Sequence, residues 1–227
     1  MQIEKISSVF DHDADQDRVN TLRDAVIDDF VSLHKYPNFG KVSVTDLNPD
    51  DYVQMRERYR GLHFGVFSLY GKKHVANELI WKWTEATGKY VGCQFWSLKA
   101  KELFDLEVKD SGGWPITAKL AKSLEKKLSM KSRPKDSKLT HEHVYPIKDM
   151  KRWLRDQANP HREEIRNHFE RQCIGCVLLE SEHDRSVGND ENPWFRYKHA
   201  GIHLALNPAW PDSQRILILE AGLLGSP

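Results

Sequence analysis

Cysteine is scarce in this chain, and long apolar runs are missing from it. Three cysteines among 227 residues are too few for the disulfide framework of a small secreted domain. The longest apolar runs, such as residues 173–179, fall far short of the ~20 residues that a membrane-spanning helix needs. Residues 1–15 become acidic where a signal peptide has its apolar core, so we expect a cytoplasmic protein without a membrane segment.

Net charge is small as well, at +1 at pH 7, and it therefore gives no indication of a nucleic-acid partner. The hydrophobic fraction of 39% and the charged fraction of 30% are typical of a folded globular chain. The basic residues are concentrated, however, in residues 116–138, which carry eight basic and two acidic side chains. Such a run is either an anion-binding surface or, more simply, a solvated helix face. On the first interpretation, the nucleic-acid-binding residues are Lys119, Lys122, Lys126 and Lys127.

Hydrophobic periodicity indicates both helices and strands in the N-terminal half. The apolar side chains of residues 16–35 recur at three- and four-residue steps, which predicts a helix. Strands are predicted at 41–45, 63–70 and 89–96, and helices from Pro49 to about residue 60, over 74–87 and from Ser97 onward. The glycines at 112 and 113 then mark a boundary. We therefore expect a recognition or scaffold region over 1–113 and a second region over 114–227.

The second region begins with the basic helix and continues as alternating strands and helices. The pattern predicts a strand at 139–145, helices at 147–157 and 161–172, a strand at 173–180, a helix capped by Ser181, and a last helix and strand within 192–206. Strands and helices of this order and length predict an α+β fold.

The densest group of ligand-type side chains is His141-Glu142-His143, at the end of the first of these strands. Side chains alternate along a strand, so His141 and His143 share one side and Glu142 lies on the other. A carboxylate beside an imidazole suits a hard cation next to a general base. In a chain with eleven histidines, packing or chance is the alternative explanation.

His183 lies in the first turn of the helix that follows the second strand. If the two strands form a hairpin and this helix packs across them, His183 approaches the end of the first strand. A metal ion would then bridge the strand and the helix.

The order HEHVYP, apolar strand and His183-bearing helix over residues 139–190 resembles the ββα-metal finger of HNH endonucleases, also called His-Me finger nucleases. The resemblance implies that Glu142 and His183 bind a divalent cation, Mg²⁺ or Mn²⁺, with His141 as an alternative first ligand. It implies that His143 is the general base of phosphodiester hydrolysis. The fold it implies is a mixed helix and strand region followed by such a finger. The helical insertion at 147–172 departs from the family, because it is longer than the compact family loop.

Two features of the family are represented only in part. The family has an asparagine shortly before its last ligand, and the available asparagines here are Asn159 and Asn167. Some members carry structural zinc on two CxxC pairs, whereas this chain has the single pair Cys173 and Cys176 in an apolar strand. A zinc site completed by two histidines, His161 and His168, is therefore less favoured than buried free cysteines.

Two arginines are further candidates. Arg196, in the segment 192–202, is a candidate for a contact with phosphate, and Arg185, on the helix of His183, is a candidate catalytic residue that contacts the phosphate or the transition state. The resemblance, together with these residues, implies a divalent-metal-dependent DNA endonuclease, and analogy suggests a restriction or anti-phage defence role for it. The alternatives are an RNA-directed nuclease or toxin, and a nucleic-acid-binding protein with a decayed finger. A palindromic target would imply a homodimer.

Overall fold

The computed structural model describes residues 12–59, 74–86, 90, 93–113, 118–157, 160–186 and 192–206. In chain order, the helices and strands are α1 (His12–Leu33), α2 (Pro49–Arg58), α3 (Val75–Glu85), β1 (Phe95–Ser97), α4 (Leu98–Asp110), α5 (Ala118–Leu128), β2 (Leu139–His143), α6 (Ile147–Asp156), α7 (Arg162–Gln172), β3 (Gly175–Leu179), α8 (Glu180–Arg185), α9 (Phe195–His199) and β4 (Leu204–Leu206). Helices combined with one small mixed sheet confirm the predicted α+β class.

The chain forms two compact units, each built from separate stretches of sequence. Of the described residues, those within 12–16, 90–144 and 175–206 form the sheet unit, and those within 17–86 and 145–174 form the helical unit. The chain therefore divides at other positions than the predicted boundary at residue 113. Gly112 and Gly113 do form a turn, with φ angles of 109° and 82°, but the helices on either side of them share one core.

In the helical unit, the predicted stripe of α1 is buried. Val26, Phe30 and Leu33 are fully enclosed, and the Phe30 ring meets the edge of Phe169 on α7 at 5.0 Å between centroids. Trp83 on α3 meets the same ring at 5.3 Å. The 3.6-residue period thus places one apolar face of α1 in the core, as the sequence predicts.

The prediction of a strand at 41–45 is wrong. Residues 39–41 and 44–46 form two 3₁₀ turns, and only an isolated bridge joins Ser43 to His74. The Asp46 carboxylate accepts hydrogen bonds from the backbone N–H and the hydroxyl of Ser43, each at 2.7 Å. This local capture by a side chain competes with strand pairing. The strand predicted at 63–70 lies outside the described residues.

The sheet unit contains a four-stranded sheet in the order β2-β3-β1-β4. β2 and β3 are antiparallel, β3 and β1 parallel, and β1 and β4 antiparallel. Its core is formed by the sheet and by the apolar faces of α4 and α5, including Phe104, Leu124 and Leu128. As predicted, Ser97 caps α4, since its hydroxyl oxygen accepts a hydrogen bond from the Ala100 N–H at 3.1 Å.

Candidate active site

The predicted hairpin is present, and its register determines which residues of β2 and β3 lie opposite each other. Glu142 lies opposite Cys176, and His143 lies opposite Gly175. The end of β2 is therefore next to the start of β3, while two helices, α6 and α7, occupy the connection between them. α8 follows β3 directly and contacts both strands of the hairpin. This is the strand, strand and helix order expected from the sequence.

α8 is anchored at its first turn by Glu182. This buried carboxylate accepts hydrogen bonds from the Leu179 N–H at 3.0 Å and from the Ser97 hydroxyl. The helix begins at Glu180, so the prediction that Ser181 caps it is wrong. Glu182 reaches back to the residue before the helix, and its bond to Ser97 couples α8 to the end of β1.

Glu142 and His183 lie side by side, as the sequence led us to expect. The Nε2 atom of His183 is 3.4 Å from the Oε2 atom of Glu142. The Glu142 side chain is 7% exposed, whereas that of His183 is 40% exposed. The pair therefore combines a buried carboxylate with an imidazole that solvent can reach.

The second oxygen of Glu142 is occupied by α9. Oε1 accepts a hydrogen bond from Nη2 of Arg196 at 3.1 Å and another from the hydroxyl of the buried Tyr197. The same Nη2 atom also lies 2.8 Å from the carbonyl oxygen of His143. The Arg196 side chain is only 15% exposed. The structure thus places Arg196 against Glu142, whereas its position in the sequence predicts a surface cation that meets phosphate.

The electrostatics of this cluster follow from its burial. Burial raises the pKa of Glu142 above the usual glutamate range, although Arg196, Tyr197 and His183 act in the opposite direction. Burial, together with the nearby carboxylate, also raises the pKa of Tyr197 well above its usual value. Tyr197 therefore keeps its proton and donates a hydrogen bond to Glu142. Arg196 carries a positive charge that offsets a carboxylate in the same cluster.

The two histidines of β2 lie on the other face of the strand. The Nε2 atom of His141 is 3.4 Å from the sulfur of Cys93, and its ring stands 5.9 Å from that of His143 at an interplanar angle of 25°. A Cβ atom at Gly175 would lie 2.9 Å from the same Nε2, so glycine is required for this close approach. The structure thus brings Glu142 next to His183, while the alternative ligand His141 contacts a cysteine.

His143 is 6% exposed, and its carbonyl oxygen is held by Arg196. The asparagine of the family has two possible counterparts in this chain. Asn167 is exposed on α7, and Asn159 lies outside the described residues. An arginine from α9 therefore fixes the end of β2, a function that spacing in the sequence did not reveal.

Glu142 and His183 fit a divalent cation as two of its ligands. Their facing atoms are 3.4 Å apart, near the ~3 Å that separates neighbouring ligands in octahedral coordination at 2.0–2.2 Å. An oxygen and a nitrogen donor suit Mg²⁺ or Mn²⁺. Among the described residues, no group of three or more histidine, cysteine or acidic side chains is arranged to hold a metal. Water and substrate oxygens would therefore supply the remaining ligands.

The basic helix α5 is amphipathic. Ala121, Leu124 and Leu128 are buried in the sheet unit. Three exposed lysines follow one another at three- and four-residue steps along its outer face, and we refer to them as the lysine stripe: Lys119, Lys122 and Lys126. The fourth predicted lysine, Lys127, is also exposed but forms an ion pair with Glu107 on α4. The stripe is therefore the part of this helix with charge directed to solvent.

Arg185 and the two cysteines of the CxxC pair are the remaining predicted residues. Arg185 is exposed in the last turn of α8. Cys173 is fully buried, and its thiol donates to the carbonyl oxygen of Ile80 at 3.5 Å. Burial raises the pKa of both Cys173 and Cys176, so each thiol stays protonated, a form that does not favour zinc.

Comparison with known protein families, with characterised proteins and with solved structures finds no match to this chain. In the part of the chain that the structure describes, no helix has the length and apolar character needed to cross a membrane. The geometry of the site is therefore the basis for any functional assignment.

Proposed function

We propose that this chain is a divalent-metal-dependent endonuclease that hydrolyses DNA phosphodiester bonds. The observation that carries the proposal is the 3.4 Å approach of Glu142 Oε2 and His183 Nε2 across a strand, strand and helix arrangement. Forty-one residues separate the two in sequence, and each is of a type that binds Mg²⁺ or Mn²⁺. The pair leaves most of a coordination sphere for water and phosphate oxygens.

In this proposal, Glu142 and His183 hold the cation, and His143 is the general base at the end of β2. His143 takes a proton from the attacking water. Arg196 fixes the carbonyl oxygen of His143 and one oxygen of Glu142, so that base and ligand keep their relative positions. When bound, the cation offsets the negative charge that develops on the scissile phosphate and on the leaving oxygen. Arg185, at the exposed end of α8, is the candidate for an additional phosphate contact.

The substrate is assigned from the lysine stripe. Three lysines directed to solvent on one helix face can track a phosphate backbone without reading its sequence. We propose double-stranded DNA as the target and restriction or anti-phage defence in the cytoplasm as the setting. A palindromic target would be matched by a homodimer.

A second candidate function is nucleic-acid binding without cleavage. Two observations favour it: His143 is 6% exposed, and Arg196 and Tyr197 occupy one oxygen of Glu142. A carboxylate already paired with a guanidinium attracts a cation less strongly than a free one. The lysine stripe would then account for the whole function of the sheet unit.

Nicking of a supercoiled plasmid separates the two candidates. We expect nicking in Mg²⁺ or Mn²⁺ that EDTA abolishes and that His143→Ala lowers by ~10²–10⁴-fold. His199→Ala is the matched control, because it removes an exposed histidine of α9. Retained DNA binding without nicking in either metal would refute the nuclease and leave the binding protein. Cleavage of RNA but not of plasmid would reassign the substrate.

A further inference from the structure

Arg196 and Glu142 form an ion pair that is shielded from water. Their closest atoms are 3.1 Å apart, and their side chains are 15% and 7% exposed. Charges in such surroundings are poorly screened by solvent and salt. The negative charge of Glu142 is therefore largely offset before any cation arrives.

Few donors remain for a cation in the protein alone. Oε1 of Glu142 is already bonded to Arg196 and Tyr197, which leaves Oε2 and the Nε2 atom of His183. Hard cations gain affinity from the number of oxygen ligands and from their negative charge. A single offset carboxylate and one imidazole supply little of either. A phosphate diester supplies both, since it brings charged oxygens to the open side of the pair.

We propose that Arg196 makes metal binding at Glu142 and His183 depend on nucleic acid, so that cation and phosphate bind cooperatively. The inference rests on the proposed function and adds the order of assembly to it. Without nucleic acid, the repulsion between the guanidinium and the cation keeps the site largely metal-free. With a phosphate in place, the added negative charge outweighs that repulsion. By linkage, the metal must strengthen nucleic-acid binding by the same factor.

The test measures Mn²⁺ affinity of the full chain by electron paramagnetic resonance, alone and with a phosphorothioate DNA duplex that resists hydrolysis. We expect the duplex to tighten Mn²⁺ binding by about tenfold or more, which is the effect of adding one unit charge near a dication in a partly buried site. DNA affinity, followed by fluorescence anisotropy, should rise by the same factor when Mn²⁺ is added.

Variants of Arg196 identify the source of the coupling. Arg196→Gln retains a hydrogen-bond donor but removes the charge, so Mn²⁺ alone should bind about tenfold tighter and the duplex should add little. Arg196→Lys keeps the charge and should keep the coupling. Lys198→Gln is the matched control, because it removes an exposed cation from the same helix. Tyr197→Phe removes a hydrogen bond to Glu142 without changing charge and should also keep the coupling.

The outcomes separate this inference from the proposed function. Equal Mn²⁺ affinity of the unaltered chain with and without the duplex would overturn the inference alone. Mn²⁺ binding that is absent in both conditions would overturn the proposed function as well. Because the first comparison uses the unaltered chain, it decides the inference even where Arg196→Gln does not fold. Weaker Mn²⁺ binding by a folded Arg196→Gln would also overturn it.

Discussion

Replacing His183 with alanine should remove metal binding and leave the fold intact. The His183 side chain is 40% exposed, and its structural partner is Glu142, which retains Arg196 and Tyr197. Because His183 is partly exposed and Glu142 keeps two other partners, we expect its loss to cost no more than the ~0.2–1 kcal/mol of an exposed pair, which corresponds to a fall in Tm of at most ~2–4 °C for a chain of this size. The same substitution removes one of the two protein ligands proposed for the cation. The Mn²⁺ affinity should therefore fall by more than the ~10–100-fold that changes in outer-shell partners cause.

Two measurements on the same preparation test this separation. Mn²⁺ affinity is measured in the presence of the phosphorothioate duplex, where binding is tightest, and Tm is measured without metal. Asp184→Ala is the matched control, because Asp184 is the next residue of α8 and forms an exposed ion pair with Lys135. We expect this control to retain both Mn²⁺ affinity and plasmid nicking.

Plasmid nicking by His183→Ala with the same dependence on Mn²⁺ concentration as the wild-type protein would refute the role of His183 as a ligand. In that case the 3.4 Å approach to Glu142 is a structural contact and not a ligand pair. A fall in Tm of ~10 °C would contradict the expectation that the fold stays intact, since it would show that His183 supports the fold.

Three further results are expected. Glu142→Ala should lower the free energy of unfolding in urea by ~3–5 kcal/mol, because Arg196 would stay buried without its carboxylate; stability equal to wild type would show that water replaces the partner. Changing the three lysines of the lysine stripe to glutamine should lower DNA affinity and reduce the slope of log affinity against log salt concentration by up to ~0.9 per lost phosphate contact. Lys127→Gln should change this slope less, because Lys127 is already paired with Glu107. An unchanged slope in the triple variant would show that the stripe is only a solvated helix face. Because burial raises the pKa of Glu142, protons should compete with Mn²⁺ for this carboxylate at pH values above the ~4.3 of an ordinary glutamate. Calorimetry should therefore show Mn²⁺ affinity decreasing as the pH is lowered towards that value, and the same pH dependence in Glu142→Gln would contradict this.

Elements governed by local pattern were predictable from the sequence. The apolar stripe of α1, the Ser97 cap of α4, and the helices α6 and α7 have signals within one or two turns of chain. Strand alternation likewise placed His141 and His143 together, and their rings are 5.9 Å apart. The approach of His183 to Glu142 required only a hairpin and a returning helix.

Elements that depend on distant partners were not predictable. Ser181 looked like an N-cap, but the buried bond between Glu182 and Ser97 spans 85 residues and sets where α8 begins. Arg196 looked like a surface cation, because a single sequence does not show that Glu142, 54 residues away, lies beside it. Both errors have one physical cause: a charged side chain is buried when a partner of opposite charge or a donor is buried with it, and that partner comes from another element.

The position of His183 depends on how far α8 is rotated about its axis. Glu142 lies opposite Cys176, and β3 advances ~10 Å from Cys176 to its end at Leu179. α8 begins there and rises ~1.5 Å per residue. The helix must therefore turn back along the hairpin for His183 to reach Glu142. Successive helical residues point ~100° apart, and in α8 three neighbours contact three different partners. Glu182 contacts Ser97, His183 contacts Glu142, and Asp184 contacts Lys135.

Of these three contacts, the bond between Glu182 and Ser97 is the buried one, so it should fix the rotation of α8. Ser97→Ala removes the cap of α4, worth ~1 kcal/mol. It also removes a donor from a buried carboxylate, worth ~1–3 kcal/mol. We therefore expect a loss of ~2–4 kcal/mol in urea unfolding and, in the protein that remains folded, weaker Mn²⁺ binding with the duplex present. Ser97→Thr keeps the hydroxyl and should recover both quantities. A Ser97→Ala protein that is less stable but binds Mn²⁺ as wild type does would show that β3 alone directs His183 toward Glu142.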